Sequence, residues 1–180
     1  MSGLAKVKLA TAWLDGCSGC HMSLLDMDER LLEVAKLADV VYSPLVDSKD
    51  FPEMVDVSIV EGAVATSDDL KKIRKVRAHS KILVSLGDCA VTANVPGMRN
   101  VFPLNEIMDR AYVENVNINP GYPTQVIPEI RNKTVPVHEI VKVDVFVPGC
   151  PPSADTIYFV ISELLAGRIP DVNAITRFGA

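Results

Sequence analysis

Lys6-Val7-Lys8-Leu9-Ala10-Thr11-Ala12-Trp13 runs directly into Leu14-Asp15-Gly16-Cys17-Ser18-Gly19-Cys20, and the joint between the two halves decides how the rest of the chain is read. The first half alternates and then turns apolar, which predicts a strand over Lys6 to Trp13. The second carries two thiols separated by two residues, close enough to reach one metal centre from a single turn. Gly16 and Gly19 are expected to relax the backbone so that both sulfurs point the same way. A strand that ends on a pair of ligands places chemistry at its carboxyl end.

The same arrangement recurs twice further along. Lys81 to Leu86 predicts a strand entering Gly87-Asp88-Cys89-Ala90, and Val143 to Val147 predicts one entering Pro148-Gly149-Cys150-Pro151-Pro152. Ahead of both, Leu24, Met27, Leu31, Leu32 and Ala35 fall at helical spacing over Ser23 to Ala38, with Ser23 as N-cap and Asp26 three residues on. Val40 to Val46 reads as a strand that Pro44 demotes towards an edge. Val55 to Val60 is a further strand, ending at Glu61-Gly62. Thr66-Ser67-Asp68-Asp69 caps a helix to about His79 with Leu70, Ile73 and Val76 on one face. Ser153 opens a last helix to about Ala166, striped by Tyr158, Ile161, Leu164 and Leu165.

Strands alternating with helices predict an α/β fold: a mainly parallel sheet with helices on both faces, of flavodoxin-like order, in one domain over residues 1–180. In such a sheet the loops leaving the carboxyl ends gather along one edge, where ligands bind. Cys17, Cys20, Cys89 and Cys150 are therefore expected to meet there. From Val91 to Lys142 the pattern weakens. Only Leu104 to about Tyr112 looks helical, and Pro120, Pro123, Pro128 and Pro136 punctuate the rest. A stretch this long is either a surface loop or a segment that covers the site or lies against another subunit.

The 180 residues are 48% hydrophobic, enough to bury the core of one ordinary domain. A formal net charge of −5 with no basic run argues against nucleic acid as a partner. The cationic patch Lys71-Lys72 to Arg77 alternates with apolar residues and reads as a solvated helix face. No apolar run reaches the roughly 18 to 20 residues needed to span a bilayer, so no direct membrane insertion is expected. The start of the chain lacks a charged segment followed by an apolar one, which points to a reducing, cytoplasmic setting rather than to disulfides.

Spacing narrows the metal. A zinc ribbon sets its second pair roughly 15 to 20 residues after the first, whereas Cys89 and Cys150 are singletons 69 and then a further 61 positions downstream. Sulfur-only ligation with one Cys followed by Pro matches an iron–sulfur cluster, and ligand softness favours [4Fe–4S]. Two plainer readings stand beside it. A lone Cys at a strand end is commonly core, and a CxxC is also a thioredoxin-like redox pair, which leaves the other two cysteines without a role. Four cysteine ligands leave no position for substrate, so the default task is electron transfer. His21, His79 and His138 show no ligand spacing. His21 is either a hydrogen-bond donor to a cluster sulfur or a surface residue.

Cys17-Ser18-Gly19-Cys20 with Ser23, then Glu61-Gly62, Gly87-Asp88-Cys89-Ala90 and Gly149-Cys150-Pro151-Pro152, in this order over nearly the whole chain, resemble the small subunit of [NiFe] hydrogenases. That superfamily includes the 20-kilodalton subunit of respiratory complex I, in which the first two cysteines are adjacent. The resemblance implies that Cys17, Cys20, Cys89 and Cys150 bind one proximal [4Fe–4S] cluster beside a Ni–Fe centre on a separate large subunit. The chain carries no cysteine-rich extension after the last helix and so looks like the small subunit of the soluble NAD-reducing type. Electrons would leave through iron–sulfur and flavin diaphorase subunits, with further Fe–S clusters and FMN, to NAD. Glu61, a carboxylate at a strand end beside the cluster, is expected to serve as a proton relay, in keeping with the family's Glu-Gly pair, the alternative being a solvent-exposed acid, and Asp88 is expected to tune cluster charge. Two rivals remain: the corresponding subunit of a membrane-bound energy-converting hydrogenase or complex I-like assembly, and a zinc- or cluster-stabilised redox sensor or interaction module.

Overall fold

The computed structural model describes residues 6–179; the start of the chain, read above as lacking a leader, lies partly outside them. In chain order the elements are β1 (Val7–Trp13), α1 (Gly19–Leu25), α2 (Arg30–Leu37), β2 (Ala38–Tyr42), β3 (Val55–Glu61), β4 (Val64–Thr66) and α3 (Ser67–Ala78). There follow β5 (Ser80–Leu86), α4 (Asp88–Thr92), α5 (Asn94–Gly97), α6 (Leu104–Asp109), β6 (Ile130–Val135), β7 (Val145–Val147) and α7 (Ala154–Leu165).

Five of these strands form one sheet, ordered β2-β1-β3-β5-β7, and every pairing in it is parallel. This is the flavodoxin-like order expected, and the strand order reverses between β1 and β3. Side chains alternate across the sheet with period 2. Leu9, Val57, Ile59, Val84 and Leu86 join Val34, Ile157, Ile161 and Leu164 from the helices, and Met27 from the turn between α1 and α2, on one face. Ala10, Ala12, Val60 and Leu83 join Ile73, Val76 and Val137 on the other. Each of the long central strands β1, β3 and β5 carries three or more buried hydrophobics, as a sheet covered on both faces requires.

The α3 cap is as expected: Thr66 Oγ1 accepts the Asp69 amide at 3.1 Å and the Asp69 carboxylate accepts the Thr66 amide at 2.9 Å. Ser153 caps α7 by accepting the Thr156 amide at 3.2 Å. Arg77 is not merely solvated; it pairs with Asp144 at 2.6 Å and so ties the end of α3 to the entry of β7.

Four local expectations need correcting. The helix over Ser23 to Ala38 is two helices, broken where Asp28 adopts φ +50°. The break turns Val34 inward and leaves Leu32 66% exposed. Ser23 is not a cap but lies buried inside α1, where its hydroxyl donates to the Pro152 carbonyl at 2.6 Å. The second strand ends at Tyr42, short of Pro44, though it does occupy the sheet edge. Finally, the stretch from Val91 to Lys142 is far from structureless. It holds α5, a 3₁₀ turn at Met98–Val101, α6 continued by a wider turn at Arg110–Glu114, and β6, which pairs antiparallel with β4.

Candidate metal centre

The four cysteines come from three loops, after β1, β5 and β7, at the carboxyl edge of the sheet, and all four line one small cavity of about 70 Å³ with Glu61 and Asp88. All four are free; Cys17 and Cys150 are exposed, Cys20 and Cys89 half-buried.

The pair is built locally. Ser18 takes the left-handed conformation at φ +64° and starts α1, so Cys20 already lies in the first turn of that helix. Neither Gly16 nor Gly19 has positive φ. They serve by what they lack: a Cβ on Gly19 would stand 3.2 Å from Cys17 Sγ, and one on Gly16 would stand 3.2 Å from Gly62 Cα. Gly19 also donates its amide to Cys17 Sγ at 3.4 Å. The loops after β1 and β3 are held together by reciprocal backbone bonds between Asp15 and Ala63 at 3.0 and 2.7 Å.

The singletons are placed by long-range contacts. Gly87, at φ +82°, lets the Cys89 loop lie against the pair; a Cβ there would stand 2.3 Å from Cys20 Sγ. Ala93 at φ +65° and Asn94 at φ +23° turn the chain after α4 so that Asn94 Nδ2 reaches Cys150 Sγ at 3.7 Å and the Val95 amide reaches Cys89. Two consecutive non-glycine residues in this region are uncommon and tend to be retained where geometry matters. Sequence alone does not single out Asn94 or Val95, since nothing in their local pattern points to sulfur.

Glu61 is 3% exposed, not a surface acid, and closes the carboxyl end of β3 beside Cys20. His21 corrects both of its expectations: it is buried, and neither ring nitrogen meets a sulfur. Nδ1 pairs with Glu61 Oε1 at 2.6 Å and Nε2 with Thr11 Oγ1 at 2.9 Å, while its amide donates to Glu61 Oε2 at 3.3 Å. Thr11 donates in turn to Ser43 at 2.8 Å, which makes a line of four buried side chains leading away from the cavity. His21 and Glu61 are 40 residues apart, so no local pattern announces the pair.

Electrostatically the cavity is one-signed. Burial, then the hydrogen-bonded Glu61 carboxylate, pushes the Cys20 thiol far above its ordinary range. Burial, followed by Cys150 and Cys17, pushes Cys89 up to about 11. Among the described residues no Lys or Arg lines this cavity. Four potential thiolates and two carboxylates thus share a wall that holds no cationic side chain among the described residues, which suits a bound polycation. Among the described residues no three His, Cys, Asp or Glu side chains close around a single ion. The sulfurs stand around a space, not a point.

A family model described as NADH ubiquinone oxidoreductase, 20 Kd subunit, matches residues 17–164. The NAD-reducing hydrogenase HoxS subunit delta of Cupriavidus necator is 42% identical over 96% of this chain and 86% of its own. A subunit of the F420-non-reducing hydrogenase of Methanothermobacter marburgensis is 36% identical over 93% of this chain, which spans only 57% of that relative. A crystal structure of an NAD+-reducing [NiFe]-hydrogenase in the H2-reduced state contains a chain that superposes with a TM-score of 0.91 at 34% identity, over 97% of this chain and 99% of that one. With three cysteine loops converging on one cavity and these likenesses spanning nearly its whole length, the chain belongs to the NADH ubiquinone oxidoreductase 20 Kd subunit family, as a member of the hydrogenase small-subunit type.

Proposed function

We propose that this chain is the electron-transfer small subunit of a cytoplasmic, NAD-reducing [NiFe] hydrogenase, a single iron–sulfur-binding domain whose Cys17, Cys20, Cys89 and Cys150 hold one [4Fe–4S] cluster. The observation that carries the reading is the sulfur-lined cavity with no cationic side chain among the described residues, in which Cys20 and Cys89 are driven towards the protonated form unless positive charge is bound. When bound, the cluster supplies one-electron transfer. The residues of this chain supply the rest: four sulfurs, amide and side-chain donors at Gly19, Asn94 and Val95 that favour the thiolate, and a wall that keeps bulk water off Cys20. The partners are a large subunit carrying the Ni–Fe centre and iron–sulfur and FMN-bearing diaphorase subunits leading to NAD. Support for them comes from the HoxS delta likeness and from the superposition on a chain of an NAD+-reducing hydrogenase.

Glu61 is the proton-handling residue of this reading. Its carboxylate stands at the cavity wall with one oxygen on the His21 ring and the other on the His21 amide, which fixes its orientation.

Iron and acid-labile sulfide analysis of the copurified complex tests the assignment. About four of each per chain are expected, with nickel following in the partner subunit and hydrogen-dependent NAD reduction in the soluble fraction. Cys150→Ser should lower the iron bound by this chain. Zinc in place of iron, or iron indifferent to Cys150→Ser, overturns the reading.

A further inference from the structure

Asp88 is 4% exposed, and both oxygens of its carboxylate are occupied by backbone amides from distant parts of the chain. Oδ1 accepts from Gly149 and Oδ2 from Gly179, each at 2.7 Å. The exchange with the Cys150 loop is reciprocal, because the Asp88 amide donates to the Gly149 carbonyl at 2.8 Å, beside a Gly87 to Val147 bond of 2.8 Å. The segment beyond α7 is anchored separately by Thr156, whose hydroxyl donates to the Ile175 carbonyl at 3.3 Å. Residues 174–177 then share a groove with Pro151 and Pro152.

The composition of the Cys150 loop explains why a carboxylate is needed. Proline stands at 148, 151 and 152, so Gly149 and Cys150 carry the only amide donors in that run. A loop with so few donors cannot be fixed by a backbone ladder alone. An ionised acceptor on its first available amide fixes it with a charge-assisted bond, about twice as strong as a neutral one.

We propose that Asp88 is a positioning residue that sets the separation of Cys89 and Cys150, and that residues 172–179 form a strap which Asp88 fastens through the Gly179 amide, backing Asp88 from outside the cavity lining. The inference rests on the four-cysteine cluster proposed above. Asp88 keeps the Gly149 amide turned away from the sulfurs and leaves its own negative charge at the cavity wall, which holds the reduction potential down.

The test uses the assembled complex. Asp88→Asn puts an amide donor opposite a backbone donor. It should speed iron loss to a chelator about tenfold, raise the midpoint potential in an EPR-monitored titration, and increase deuterium uptake in a peptide spanning residues 147–153. Gly179→Pro removes the strap amide and, because Gly179 stands at φ +74°, also forces the end of the strap out of its left-handed conformation, so the strap is released from Asp88 and iron loss should speed about threefold. Wild-type release and potential in Asp88→Asn overturn the proposal, as does faster release with an unmoved potential, which would leave Asp88 a residue of the fold alone. Gly179→Pro indistinguishable from wild type also overturns it, and this variant decides alone if Asp88→Asn does not fold. Wild-type complex without iron on this chain would sink the cluster reading instead, and the deuterium comparison would still report on Asp88.

Discussion

The two sides of the cavity reach the same chemistry by different means. The Cys17–Cys20 side is a local turn: one left-handed serine, one glycine without a Cβ in the way of a sulfur, and a helix that starts at Gly19. The Cys89–Cys150 side has no local logic, since its two loops lie 61 residues apart and meet through long-range contacts: the β5–β7 pairing, the Asp88–Gly149 exchange and the reach of Asn94 to Cys150. The first side is encoded in four consecutive residues. The second exists only once the sheet has formed, which ties half of the proposed ligand set to global folding.

The seam between the sides is the place to break this contrast with the largest effect. Gly87→Ala sets a methyl group 2.3 Å from Cys20 Sγ at a φ of +82°. Most of the bound iron should be lost, and the melting transition should report a destabilisation of about 3 kcal/mol. Full iron content in this variant would mean that the two sides are not in contact.

Glu61→Gln acts on the pair side only. Hydrogen-dependent turnover of the complex should fall at least about tenfold while iron and sulfide content stay as in the wild type. Unchanged turnover would dismiss Glu61 as a proton-handling residue. Ser23→Ala cuts a thread between the sides, the 2.6 Å bond from α1 to the Pro152 carbonyl. A buried carbonyl loses its partner, and urea denaturation should show a loss of roughly 1–2 kcal/mol with the cluster still bound.

The smallest effect concerns the cluster-free chain and belongs to the singleton side. Cys89 holds its proton more tightly folded than unfolded, so the folded state retains a proton that the unfolded chain has already released. The stability this confers is complete below pH 9 and is lost as the pH rises through about 11. Denaturation midpoints measured across that window should fall, and Cys89→Ala should flatten the fall.

How much of this is legible in the sequence follows from how local each signal is. The endings of β1, β3, β5 and β7 can be read because each closes an apolar run, and residues such as Leu9, Ile59, Leu86 and Val147 are buried as that pattern requires. β6 cannot. Its central Asn132 and Lys133 are exposed, it lies in a proline-rich stretch, and its partner β4 is only three residues long, so neither periodicity nor length stands out. The break at Asp28 is hidden because apolar spacing runs on across it. His21 escapes for a related reason: its partners Glu61 and Thr11 lie on two neighbouring strands of the sheet.

Sequence alone determined the class of fold, the order of the strands and the set of four sulfurs, because period-2 burial and a parallel sheet's shared direction are enough to send three loops to one edge. Only the tertiary structure decided that Glu61 is clamped by His21 instead of facing water, that Ser18 and not a glycine takes the left-handed turn, and that Asp88 binds two amides from far along the chain. Those outcomes depend on distances between segments that touch only after the sheet assembles, and a buried polar group takes whichever partner the packing brings within reach.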